Sequence, residues 1–136
     1  MWQWWAVIGM ICFAAMQLIF AALGRRGVNV TAMLLYVFAI AALFYGIHVR
    51  SSAAALPHAA RDVALLAAAA ALSYVGNWLL LRAIAAAPNP GYAVAISGLQ
   101  AALVTLFSVG ILGASFSWSK ALGVAFCAVG VALLVR

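Results

Sequence analysis

The charged residues of this chain lie in narrow breaks between five long apolar runs, or at the very C-terminus. The charge-free runs cover residues 1–24, 27–49, 63–81, 83–119 and 121–135. A helix that crosses a bilayer needs roughly 20 predominantly apolar residues with few or no charges. The pattern therefore predicts an all-α integral membrane protein with five transmembrane helices in a single domain over residues 1–136. The composition leaves little alternative. With 71% hydrophobic and 6% charged residues, the chain lacks the polar coat of a soluble helical bundle of this size. The longest charged connection runs only from Arg50 to Asp62, so extramembrane structure is minimal.

The breaks set the expected elements. The first helix covers about 4–23 and stops at Gly24-Arg25-Arg26-Gly27. The second covers about 30–49, with Asn29 as its N-cap. A connection with Ser51, Ser52 and Pro57 follows. The third covers about 62–86, and Asp62 suits its electropositive start, as a cap paired locally with Arg61. Asp62 as a coupling carboxylate is the other reading, since proton- and cation-coupled carriers place carboxylates inside the membrane. Pro88-Asn89-Pro90-Gly91 is the clearest break, because two prolines and a glycine cannot continue an unperturbed helix. The fourth helix covers about 92–112 and the fifth about 117–135, the latter reaching spanning length if Lys120 snorkels. A four-span reading would make one segment interfacial, but no run shows a strongly charged face.

Charge also limits the partners. The net charge of +6 comes from basic residues placed singly or as one pair, with no basic face for nucleic acid. Their positions fit lipid headgroups, so the bilayer is the expected partner. The N-terminus lacks the positive n-region of a signal peptide and is read as a span, with Trp2, Trp4 and Trp5 as an interfacial belt. Cys12 and Cys127 lack metal-ligand spacing and are read as packed thiols. Five spans put those tryptophans with Phe116 and Trp118 on one side, and Trp78 and Tyr92 toward the other. Arg50, Arg61 and Lys120 fall on the first side; Arg25, Arg26, Arg82 and Arg136 fall on the second. Three against four is almost no orienting bias. Either copies insert both ways and pair antiparallel, or weak cues or a partner set one orientation.

Uncharged polar residues carry the functional reading. Polar side chains in hydrocarbon need partners and tend to face protein or a cavity. Ser97, Gln100, Thr105 and Ser108 share a broad face of the fourth helix, opposite Leu99, Leu103 and Leu106. Ser73 and Asn77 stand one turn apart on the third helix, beside Tyr74 and Trp78. Gln17 lies in the second half of the first helix; Tyr36, Tyr45 and His48 lie on the second. Gln17, Ser73, Tyr74, Asn77, Ser97 and Gln100 are the candidate pathway for a small amphipathic solute. The alternative is interhelical hydrogen bonding, on the order of 0.6 kcal/mol per bond. His48 near Arg50 reads as an interfacial anchor rather than a proton switch. Gly123 and Gly130, with Cys127 between them, mark a small-residue packing face suited to dimerisation. The sequence holds no catalytic triad, paired carboxylates, metal cluster or phosphate loop, so neither an enzyme nor a cofactor is expected.

Three stretches carry a family resemblance. Tyr74-Val75-Gly76-Asn77-Trp78-Leu79-Leu80-Leu81-Arg82-Ala83-Ile84 resembles the third helix of an EamA-like repeat of the drug/metabolite transporter superfamily. Ser97-Gly98-Leu99-Gln100 resembles its fourth-helix element. Gly110-Ile111-Leu112-Gly113, Phe116-Ser117-Trp118 and the Gly123 to Leu134 stretch resemble its last turn and glycine-rich final helix. Ala101 stands where the family often has proline, and Ala114 where it often has glutamate. The first helix lacks the membrane glutamate of the more distantly similar small multidrug resistance proteins, which argues against carboxylate-coupled antiport. Many members have two five-helix repeats of opposite orientation. The resemblance therefore implies a carrier or exporter of a small organic metabolite in a bacterial inner membrane, rebuilt as an antiparallel homodimer working by alternating access. The alternatives are a non-transporting subunit that stabilises or regulates a larger complex, and a lipid-carrier flippase.

Overall fold

A computed structural model describes residues 1–115 and 117–134, apart from the Lys120 side chain. Phe116 in the aromatic belt, the snorkelling of Lys120 and the charge of Arg136 lie outside the described residues. Six helices form among the described residues: α1 (Trp2–Arg25), α2 (Val30–Ser52), α3 (Ala60–Ala86), α4 (Pro90–Gly98), α5 (Gln100–Leu112) and α6 (Trp118–Leu134). α1, α2, α3 and the continuous stretch Pro90–Leu112 are each long and apolar enough to cross a membrane. α6 has 17 residues, about 25 Å of helix, somewhat short of the roughly 30 Å hydrocarbon core.

Local chemistry sets the helix ends. The Asn29 side chain accepts hydrogen bonds from the Thr31 and Ala32 N–H groups at 2.8 and 3.3 Å, the expected N-cap of α2. Asn89 does the same for α4 through the Gly91 N–H at 2.9 Å, with Pro90 in the first turn where its missing N–H has no partner to lose. α1 ends in a two-bond motif. The Val28 N–H reaches the Leu23 carbonyl at 3.1 Å and the Gly27 N–H reaches that of Gly24 at 2.9 Å. The motif needs a left-handed residue, which Gly27 supplies at φ +79°. α2 ends similarly, with the Ala54 N–H on the Val49 carbonyl at 3.2 Å. Here the left-handed residue is Ala53, at φ 48°. Ser51 and Ser52 donate to the His48 carbonyl at 2.9 and 2.7 Å, tying off a further terminal acceptor.

Two helix boundaries differ from the sequence expectation in ways that matter. α3 begins at Ala60, so Asp62 lies inside its first turn rather than capping it, and no described residue forms an ion pair with it. The fourth span is divided at Leu99. There the Leu99 N–H bonds to the Ile96 carbonyl, and the Leu99 carbonyl accepts from both Ala102 and Leu103, at 2.9 and 3.4 Å. Leu99 keeps right-handed dihedrals, so the path continues while the turn tightens toward 3₁₀ geometry.

The chain divides into two compact units, Met1–Ala85 and Ala86–Arg136. In the first, Phe20 of α1, Met33 and Leu34 of α2 and Leu81 of α3 form a buried cluster, flanked by Met16, Leu23, Val30, Val37 and Trp78. All lie toward the α1–α2 turn. The far halves of the three helices are uncovered, including Trp2, Trp4, Trp5, Phe13, Phe44 and Tyr45. Trp78, at the same end of α3, adds to that core from its edge. Cys12 is an exposed free thiol, and so is Cys127, instead of the packed thiols expected. In the second unit α6 packs on both α4 and α5, with Ala93 as the buried residue of α4.

The two left-handed positions give opposite predictions. Left-handed dihedrals cost a non-glycine residue about 1–2 kcal/mol, while glycine loosens the unfolded chain by about 0.4–1 kcal/mol. Ala53→Gly is expected to stabilise by about 0.5 kcal/mol and Gly27→Ala to destabilise by about 1 kcal/mol. Thermal unfolding in detergent measures both; shifts of the same sign would refute the two cap geometries.

Candidate transport pathway

α3 carries the best-defined polar pair. The Asn77 amide nitrogen donates to the Ser73 carbonyl at 2.8 Å and to the Ser73 hydroxyl at 3.1 Å. Both partners belong to the preceding turn of the same helix, which places them one above the other. In this orientation the amide donors are spent within α3, and the Asn77 carbonyl oxygen is left as an acceptor. Asn77 is half-buried, and Ser73 and Tyr74 are exposed. Trp78, one turn beyond Tyr74, lies under the Arg82 guanidinium at 4.7 Å from the ring centroid.

Gln17 of α1 belongs to the same level. α1 and α3 run in the same direction, and Gly24 of α1 lies against Ala85 of α3. Gln17 precedes Gly24 by seven residues and Asn77 precedes Ala85 by eight. At about 1.5 Å per residue both amides lie about 10–12 Å from that shared reference, close to one depth. Gln17 is half-buried like Asn77.

Ser97 and Gln100 belong to the second unit, on either side of the break at Leu99. The Ser97 hydroxyl donates to the Val94 carbonyl at 2.8 Å, a back-bond that bends a helix. Thr105 does likewise to Ala101 at 2.7 Å. The expected polar face is only partly covered: Ser97 and Ser108 are half-buried, Gln100 and Thr105 are exposed. On the opposite side Leu103 and Leu106 are uncovered as expected, but Leu99 is half-buried. Sequence periodicity missed this, because a face that is apolar throughout does not show which of its positions a neighbouring helix covers.

Gly123 and Gly130 lie on α6 with nothing near them. A methyl group on either would meet no atom within 4 Å. α6 uses another side, with Ala121, Val124, Ala128 and Val131, for its partial burial. Cys127 is exposed with the glycines, so the small-residue face is uncovered in the single chain.

A set of long apolar helices with amides and hydroxyls at membrane depth defines an all-α, multi-pass membrane protein. The profile of the EamA-like transporter family matches residues 1–136, and the chain belongs to that family. It is accordingly a membrane transporter of small molecules. No curated protein and no solved structure matches the chain.

The break generates a test of its own. Gly98 lies just before Leu99, has a negative φ, and has nothing within 4 Å of the position a methyl group would take. Gly98→Ala should therefore add helix propensity without a clash and stabilise the fold by about 0.5–1 kcal/mol. Thermal unfolding in detergent checks this; a lower midpoint would mean that the glycine is required sterically.

Proposed function

We propose that the protein is a carrier or exporter of a small organic, amphipathic metabolite in a bacterial inner membrane, working by alternating access as an antiparallel homodimer. The observation that carries this reading is the family match over the whole chain, which spans one set of membrane helices with interior amides and no interior carboxylate. Gln17 and Asn77, at one depth, orient the solute, with Ser73 and Tyr74 beside them. Ser97 and Gln100 flank the tightened turn at Leu99, where the fourth span bends as access switches. Interrupted membrane helices are a recurring device of such carriers. With Asp62 at a helix start near the interface, selection rests on amides, hydroxyls and aromatic rings, and neither a cofactor nor a covalent step is involved.

Flux in proteoliposomes containing this protein alone is the test. Asn77→Leu and Gln17→Leu should each lower flux about tenfold, which corresponds to ~1.4 kcal/mol on the barrier, with unfolding midpoints little changed. Gln100→Leu should act in the same direction. Normal transport by all three variants would remove the site assignment. Absence of flux in the unmodified protein would favour the non-transporting subunit, and flux restricted to lipid-linked solutes would favour the flippase.

The uncovered Gly123–Gly130 face supports the dimer, since small residues let helices approach closely in lipid. Gly123→Leu together with Gly130→Leu should convert dimer to monomer, measured by cross-linking in membranes, while leaving the monomer folded. A C-terminal reporter should give signal on both sides of the membrane. Signal on one side only would sink the antiparallel self-pair.

A further inference from the structure

Three arginines outside the pathway gather at one end of the Met1–Ala85 unit. Gly24, in the last turn of α1, lies so close to the last turn of α3 that a methyl group on it would stand 3.4 Å from the Ala85 Cβ. Arg25 and Arg26 follow Gly24 directly, and Arg82 precedes Ala85 by one helical turn on the same side of α3. All three side chains are exposed. Arg82 is held in place: its guanidinium lies 4.7 Å from the centroid of Trp78, and Trp78 packs against the buried cluster of Phe20, Met33, Leu34 and Leu81.

This end contains no acidic side chain. The sole acidic residue of the chain is Asp62, in the first turn of α3. Twenty residues of helix separate it from Arg82, about 30 Å along the axis, well beyond a Debye length of about 8 Å. Three cations thus share one end of the unit, with no acidic side chain near enough to compensate them. Guanidinium groups are planar donors matched to phosphate oxygens. The site lies where spanning helices end, at headgroup level. Ile19 and Leu79, farther into the membrane on the same two helices, are 60% and 54% exposed and offer apolar surface to an acyl chain. The opposite end of the unit is different, since Arg50 and Arg61 there share their side with Asp62.

We propose that Arg25, Arg26 and Arg82 form a selective seat for the phosphate headgroup of an anionic phospholipid, beyond the general anchoring that any interfacial arginine gives. The seat ties α1 and α3 together at their common end.

The test uses the full chain in nanodiscs of mixed phosphatidylcholine and phosphatidylglycerol, with retained lipids counted by native mass spectrometry. The unmodified protein should retain phosphatidylglycerol preferentially. The R25Q/R26Q/R82Q variant should lose that preference. R25Q/R26Q alone, which leaves the Trp78 contact intact, should lose part of it. R50Q/R61Q serves as the control and should keep the preference. Equal retention of both lipids by the unmodified protein would overturn the proposal, as would an equal loss in the R50Q/R61Q control. Displacement of phosphatidylglycerol by inorganic phosphate would also overturn it, because the site would then be one for a small anion.

Discussion

The structure depends first on backbone groups having no water to bond inside a bilayer. Each unsatisfied N–H or C=O in hydrocarbon costs several kcal/mol, so the chain must close its hydrogen bonds within each span. Helices of 24, 23 and 27 residues meet that demand in α1, α2 and α3. What remains is the orphan groups at helix ends, and here the sequence spends its few polar residues. Asn29 and Asn89 cap starts, Ser51 and Ser52 close a terminus, and Gly27 and Ala53 turn the chain left-handed so that terminal carbonyls find partners.

The same solvent explains the sparse packing. Lipid tails are as apolar as leucine, so no hydrophobic force pulls the helices together, and contact rests on close fit. The first unit concentrates that fit at one end, around Phe20, Met33, Leu34 and Leu81. Its other half presents aromatic and aliphatic side chains outward. In the second unit α6 commits one side to α4 and α5 and leaves its smallest residues uncovered. Such surfaces offer van der Waals contact to a second helix bundle, the feature on which the proposed antiparallel pair rests.

Polar side chains at membrane depth follow a related logic. Asn77 and Ser73 satisfy each other within α3, and Ser97 and Thr105 bond back to their own helices. None of these bonds ties one helix to another. The expectation of interhelical bonding as their alternative role finds no example among these bonds, and the carbonyl oxygen of Asn77 is left as an acceptor. The back-bond of Ser97 lies two residues before the tightened turn at Leu99, so both local departures from the ideal helix fall in the same stretch of the fourth span.

Much of this was legible from the sequence, because the period of charge and the ends of helices are local properties. The apolar runs set the spans, Asn29 announced its cap, and the third-helix, fourth-helix and glycine-rich stretches announced the family. Tertiary structure alone decided which residues share a core. Trp78, read for its place along the helix, is also partly covered by the core; Cys12 and Cys127 read as packed yet face outward; and Leu99 read as lipid-facing yet is partly covered. In a chain that is apolar on every side of every helix, hydrophobicity cannot say which face meets protein and which meets lipid. Only the fit of one helix against the next decides that.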